Sequence, residues 1–151
     1  MPETPGPVLG HVGLNVSALS RSTDFYRRAF GLEVLRISEE DGRRYAFLGR
    51  DGAVSLTLWQ QSSGAFAIDR PGLHHLALRV ESIEDVRIIE ARLRELGATI
   101  HHGGVVPHGE GQQSGGVFFE DPVGIRVEVF APSGAEVAEA PTAGAPTCGF
   151  F

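Results

Sequence analysis

Gly115-Gly116-Val117-Phe118-Phe119-Glu120-Asp121-Pro122-Val123-Gly124-Ile125-Arg126-Val127-Glu128-Val129-Phe130 reads as strand, tight turn, strand. Asp-Pro-x-Gly is turn chemistry, because Pro presets one dihedral and Gly accepts a positive one. On the second strand the side chains alternate, so Arg126, Glu128 and Phe130 share one face and Ile125, Val127 and Val129 the other. A carboxylate in the middle of such a strand needs a partner, since charged groups are seldom buried alone. The rest of the chain has to supply it.

Working outward, the same order of elements occurs twice. Val8 to Val16 reads as a strand with Val12, Leu14 and Val16 on one face and His11, Gly13 and Asn15 on the other. Ser17 to Phe30 carries helix signals: Ser20 as N-cap, Leu19, Tyr26 and Phe30 on a buried stripe, and Gly31 as the stop. Strands follow at Glu33–Ile37, Arg44–Leu48 and Ala53–Trp59, the last two joined by Arg50-Asp51-Gly52, whose Asp-Gly is a strong hairpin signal. Leu73 to Val80 then starts again as a strand. Ser82 caps a helix with Ile83, Val86, Ile89, Leu93 and Leu96 at helical spacing, and Gly97 ends it. Thr99 and Ile100 begin another strand, a long loop follows, and the opening hairpin closes the set. The fold class expected is α+β: two βαβββ modules over residues 8–61 and 72–132, a connector at 62–71, and a tail at 133–151. That tail, rich in Ala, Gly, Pro and Thr without periodicity, is expected to be disordered.

Offsets test the repeat. His11 to His75 is 64 positions, Gly31 to Gly97 is 66 and Gly52 to Gly124 is 72. The growth places extra residues in His101 to Ser114, which is either a substrate-reading loop or a tolerated insertion. The repeat maps His11 onto His75, and it maps Glu128 onto Leu56. If the strands bearing these residues line one cavity, two imidazoles and one carboxylate converge, and a divalent metal neutralises Glu128 with coordination positions left open. Each residue alone has a plainer reading. A strand histidine is more often a hydrogen-bonded core or surface residue, and Glu128 could pair with Arg126 or Arg79. His74 is expected to point away from His75 and is given no metal role.

The 151 residues fit one domain or two small modules sharing a core, with 42% hydrophobic and 21% charged residues. A net charge of −6 offers no basic surface, so nucleic acid is not an expected partner. Cys148 is the single cysteine, which excludes an internal disulfide or a Cys-rich zinc site. The start has no basic region followed by an apolar run, and no apolar stretch approaches the roughly 18 residues that span a bilayer. The expectation is a soluble, cytoplasmic protein without a membrane partner.

His11-Val-Gly-Leu-Asn-Val, Phe25-Tyr26-Arg27 and Phe30-Gly31-Leu32-Glu33-Val34 resemble the first module of the vicinal oxygen chelate superfamily. His75-Leu-Ala-Leu and Phe119 to Glu128 resemble its second. The resemblance covers about Val8 to Pro132. It implies a cupped sheet around a metal that chelates substrate oxygens, with His11, His75 and Glu128 at the ligand positions. It also implies a homodimer with sites shared between chains. Glyoxalase I carries a glutamate where this chain has Leu56. Thiol-transferring fosfomycin enzymes carry Thr at the place of Gly13 and Tyr at that of Phe118. Extradiol dioxygenases share the two-His, one-Glu set, but their Tyr is again Phe118 here and His108 sits slightly too far upstream of it.

The leading expectation is an Fe(II) dioxygenase-like enzyme acting on a small oxygen-rich substrate. The alternative is an isomerase or lyase of the glyoxalase or epimerase type using Mn, Ni, Co or Zn. A third is a ligand-sequestering protein with an aromatic, metal-free groove, for which Phe118, Phe130 and Trp59 are the aromatics counted. His108 is the acid–base candidate beside Glu128, its ordinary pKa lying near neutrality. Arg79, Phe118 and Leu56 are the expected substrate contacts, and Tyr45 is read as a sheet-edge residue.

Overall fold

The computed structural model describes residues 3–151. Its elements are β1 (Val12–Asn15), α1 (Leu19–Phe30), β2 (Glu33–Glu40), β3 (Arg43–Arg50), β4 (Ala53–Trp59), β5 (Leu76–Arg79), α2 (Ile83–Glu95), β6 (Ile100–Pro107), β7 (Gly115–Glu120) and β8 (Arg126–Ala131), followed by a 3₁₀ turn at Thr147–Gly149. The chain forms two compact units, Met1–Arg27 with Gly31–Ser63, and Arg28–Phe30 with Gly64–Phe151. Each holds a four-stranded mixed sheet, β1-β4-β3-β2 in the first and β5-β8-β7-β6 in the second. The first and last strand of each set pair in parallel and the other neighbours are antiparallel. Such a parallel pair needs a long crossover, here a helix and two strands. The α+β class and the doubled βαβββ order are those expected.

In the first unit Val12, Leu14, Ala46, Leu48, Leu56 and Leu58 lie opposite one another across β1, β4 and β3 and form the apolar face. Helix α1 buries Leu19, Tyr26 and Phe30 as its spacing predicts. Its cap differs from expectation. The N-cap is Ala18, which has no side chain to offer, and Ser20 lies inside the helix. The Leu19 N–H instead donates to Gln60 Oε1 at 2.8 Å, so a residue beyond β4 satisfies an orphan donor of the helix start. Gly31 closes α1 in the left-handed conformation, its N–H donating to the Arg27 carbonyl.

In the second unit α2 packs on β6, β7 and β8, burying Ile83, Val86, Ile89 and Leu93. Ser82 caps it as expected, accepting from the Asp85 N–H. The turn between β7 and β8 is built by Asp121, whose Oδ1 accepts from the Val123 and Ile125 N–H groups at 3.0 and 2.9 Å. Gly124 has φ 92, which a side chain would strain.

Two expectations about the second unit are corrected. The first half of the presumed long loop, as far as Pro107, is strand β6, whose register with β7 slips between His101 and Val106. His102, Gly103 and Gly104 all take positive φ there, so the extra residues leave the ladder as a bulge. The tail is also ordered. The Ala135 N–H donates to the Gln113 carbonyl and the Gly144 N–H to Glu110 Oε1. Thr147, 2% exposed, donates its N–H to the His108 carbonyl and its hydroxyl to the Pro107 carbonyl at 2.6 Å. Composition suggested a polar coil, but its backbone donors find long-range acceptors that no local pattern displays.

Candidate functional site

Glu128 sits mid-strand on β8, opposite Ala77 of β5 on one side and Phe118 of β7 on the other. It is 3% exposed, so its carboxylate has left water and must be satisfied inside the protein. Both oxygens are met by imidazoles. His108 Nε2 lies 2.8 Å from Oε2, and His75 Nε2 lies 3.5 Å from Oε1. His108 is held in turn by the Ser114 hydroxyl, 2.8 Å from its Nδ1. His75 Nδ1 lies 2.8 Å from His74 Nδ1, and Arg126 Nη1 approaches His74 Nε2 at 3.4 Å. A chain of polar contacts thus runs from Ser114 to Arg126 with Glu128 at its centre.

Local structure explains each placement. β8 aims Arg126, Glu128 and Phe130 to one side by alternation. His108 follows β6 at the start of the connection to β7, where its N–H donates to the Ser114 carbonyl. His75 stands one residue before β5. The chain is not yet strand at that point, so the expected divergence of His74 and His75 does not occur. Their ring centroids are 5.1 Å apart.

Phe118 is fully buried on the Glu128 face, with ring contacts to His102, His108 and Phe150. Phe130 stacks edge-on against His108 at 5.0 Å. Arg79 is exposed at the end of β5, opposite Phe130 and on the same face as Glu128. The structure therefore gathers His75, His108, Phe118 and Glu128 within the second unit. His11 belongs to the first unit, exposed and one residue ahead of β1.

Leu56 is corrected. Val12 pairs with Leu56 while Leu76 pairs with Val127, so the counterpart of Glu128 in the first sheet is Thr57. Leu56 is 1% exposed and belongs to the apolar face, away from any substrate contact on the other side. Matching Gly52 to Gly124 misled the mapping because the two turns differ. β4 carries a register shift opposite Leu48 and Gly49 before its short Asp51-Gly52 turn, whereas the Asp121 turn is longer and unbulged.

Sequence reasoning also missed two groups. In the first unit Tyr45, Phe47 and Trp59 form one aromatic cluster, ring centroids 5.2 to 5.9 Å apart, with Arg36 over the Tyr45 ring. Trp59 Nε1 donates to Thr57 Oγ1 at 2.9 Å on this face. The pairings Tyr45↔Trp59 and Phe47↔Thr57 follow from strand alternation, so this signal was readable once the register was known. The other missed group is Cys148. His75, Glu128 and Cys148 offer ligand atoms that all lie within 4.8 Å of one another.

The donor set tests whether a cation fits. A buried carboxylate with an imidazole nitrogen and a sulfur beside it offers hard and soft donors to one point, as borderline divalent ions accept. A recess of about 500 Å³ lined by Arg87, Glu90, Arg94, His102, Gly103 and Gly104 lies elsewhere, where the β6 bulge meets α2. Burial, and then the neighbouring His101, pull the His102 pKa below its ordinary 6.5. No helix among the described residues is long and apolar enough to cross a membrane.

Residues 8–129 match the model of the Glyoxalase/Bleomycin resistance protein/Dioxygenase superfamily. Among curated proteins, a catechol-2,3-dioxygenase of Bacillus subtilis is 29% identical over 126 residues, covering 82% of this chain and 41% of the relative. A trivalent organoarsenical cleaving enzyme of a Bacillus species is 31% identical over 87 residues, covering 58% of this chain and 50% of the relative. The chain thus spans half or less of the length of these curated relatives. Among solved structures, a glyoxylase/bleomycin resistance protein/dioxygenase domain from Frankia sp. superposes with a TM-score of 0.71 at 27% identity, covering 85% of this chain and 99% of that one.

Proposed function

Because this chain belongs to the Glyoxalase/Bleomycin resistance protein/Dioxygenase superfamily, we propose that it is a divalent-metal enzyme acting on a small substrate that chelates through two oxygens, with Fe(II) and dioxygen chemistry as the leading form. The observation that carries this is Glu128, a buried carboxylate bracketed by His75 and His108. The likeness to a catechol-2,3-dioxygenase supports the choice of reaction. His75 and Glu128, with His11, are the proposed ligands. When bound, the cation would polarise the substrate oxygens it chelates.

The chain's own residues do the rest. His108 Nε2 holds or releases a proton at the Glu128 carboxylate, and Ser114 orients its ring through Nδ1. Phe118, buried beneath the Phe150 ring, and Phe130 keep water from the Glu128 face, and would form an apolar wall for a flat, partly apolar substrate once that ring moves aside. Arg79, on the same face, would meet a substrate anion. The isomerase or lyase reading, with Mn, Ni, Co or Zn, has one observation in its favour: His108 is a titratable base already fixed beside the site, as proton transfer next to a carbonyl requires.

Anaerobic metal analysis followed by oxygen uptake with catechols and α-hydroxy ketones separates these readings. Uptake with catechols is expected. Isomerisation of a hydroxy ketone without oxygen uptake would replace the dioxygenase by the isomerase. A homodimer with shared sites is part of the proposal. Mixing inactive His11→Ala and Glu128→Ala proteins should then restore activity, because one site of the mixed dimer is intact. Failure to complement would put all ligands in one chain.

A further inference from the structure

The C-terminal turn lies on the Glu128 face of the second unit. Thr147 is pinned there by bonds to the carbonyls of Pro107 and His108, the residue that also contacts Glu128. Phe150 fills the space beyond it, its ring centroid 5.3 Å from His101, 5.6 Å from Phe118 and 5.9 Å from His75. The Arg126 guanidinium lies over the same ring at 5.2 Å. Between these two anchors stands Cys148, whose sulfur joins His75 and Glu128 within 4.8 Å. A frayed terminus would not hold a single cysteine at a buried carboxylate with an anchor on either side.

We propose that Cys148 is a metal ligand delivered by the chain's own tail, closing with its thiolate a coordination position that an incoming substrate must reopen. The inference rests on the reading that a divalent cation binds at His75 and Glu128. Coordination would take the thiol proton to solvent and leave the thiolate on the cation, since a bound thiol is deprotonated. No electron transfer is required. The turn itself is held by the two Thr147 hydrogen bonds and by the contacts of the Phe150 ring with His75, His101, Phe118 and Arg126, all noncovalent, so it can leave when a bidentate ligand takes its place while Ala135 and Gly144 keep the rest of the tail attached. The resting site is thereby shielded, and the sulfur adds a soft donor that favours Fe, Co or Zn over Mg.

The test uses the reduced full-length protein under anaerobic conditions with Co(II) alone as the probe. Expected is a visible d–d spectrum together with an intense thiolate-to-cobalt charge-transfer band in the near ultraviolet. Because Cys148 is the only cysteine, the band has one source in each chain. Cys148→Ser should lose it while keeping the d–d bands, and circular dichroism would confirm that the variant is folded. The band per chain should not change with protein concentration; growth with concentration would assign the sulfur to a second copy and overturn the tail's role. Bound Co(II) with d–d bands but no charge-transfer band would overturn the Cys148 proposal alone. Absence of Co(II) binding would overturn both it and the metal reading on which it rests. Adding catechol should abolish the band, and its persistence in a ternary complex would contradict displacement.

Discussion

Phe47 faces Thr57 across β3 and β4, and Phe118 faces Glu128 at the matching place across β7 and β8. The strand order and the parallel pairing are the same in both units. The first sheet surrounds that position with Tyr45 and Trp59 and satisfies it with one neutral hydrogen bond. The second surrounds it with His75, His108 and the tail. One scaffold thus carries an aromatic surface in one copy and a cluster of donor atoms in the other. The exchange of a hydroxyl for a carboxylate separates them, because one neutral hydrogen bond satisfies a buried hydroxyl whereas a buried carboxylate obliges the chain to recruit several polar or cationic partners.

Glu128→Thr gives the second sheet the residue of the first and tests that statement hardest. Divalent-metal affinity, read by competition with a chromophoric chelator, should fall by at least about 100-fold, since even changes outside the ligand shell reach 10- to 100-fold. Gly116→Ala probes a smaller asymmetry. Gly116 occupies the place that Tyr45 holds in the first sheet, and a Cβ there would overlap the Val129 carbonyl. Urea unfolding should show a loss of about 1–3 kcal/mol from overpacking.

The turns differ in the same way. Asp121→Ala strips the acceptor from two backbone donors and should destabilise by about 1–3 kcal/mol. Asp51→Gly should do little, as Asp51 already sits at φ 50, where glycine is at ease. Thr57→Val leaves Trp59 Nε1 without its partner and should lose about 0.5–1.5 kcal/mol while metal affinity is unchanged. Coupled loss of metal would refute the division of roles.

The smallest effect expected is a pH dependence from His102. Its folded pKa is lowered, so below about pH 6.5 the unfolded chain takes up the proton first. That contribution to stability is present above the unfolded pKa and declines as pH falls from there towards the folded pKa. His102→Gln should flatten the denaturation midpoint against pH in that window.

Alternation and helical spacing in the sequence carried the two modules, both buried stripes and the Ser82 cap. They carried these because each depends on periodicity or on a motif a few residues long. What escaped depends on distant partners. The α1 cap comes from Gln60, and the order of the tail comes from carbonyls of residues 107, 108 and 113. The register shift on β4 moved the counterpart of Glu128 from Leu56 to Thr57, because one slipped residue exchanges the two faces. Cys148 lies in the tail whose composition predicts disorder, and nothing in its local pattern says that it reaches His75.

The central claim is that the second sheet holds a cation through His75 and Glu128. Metal content of protein purified and desalted anaerobically tests it most directly, measured for the native chain, His75→Ala, Glu128→Thr and Thr57→Val. Expected is stoichiometric divalent metal in the native chain and in Thr57→Val, and near-complete loss in the other two. A native chain without stoichiometric metal, or metal retained by both His75→Ala and Glu128→Thr, would contradict it.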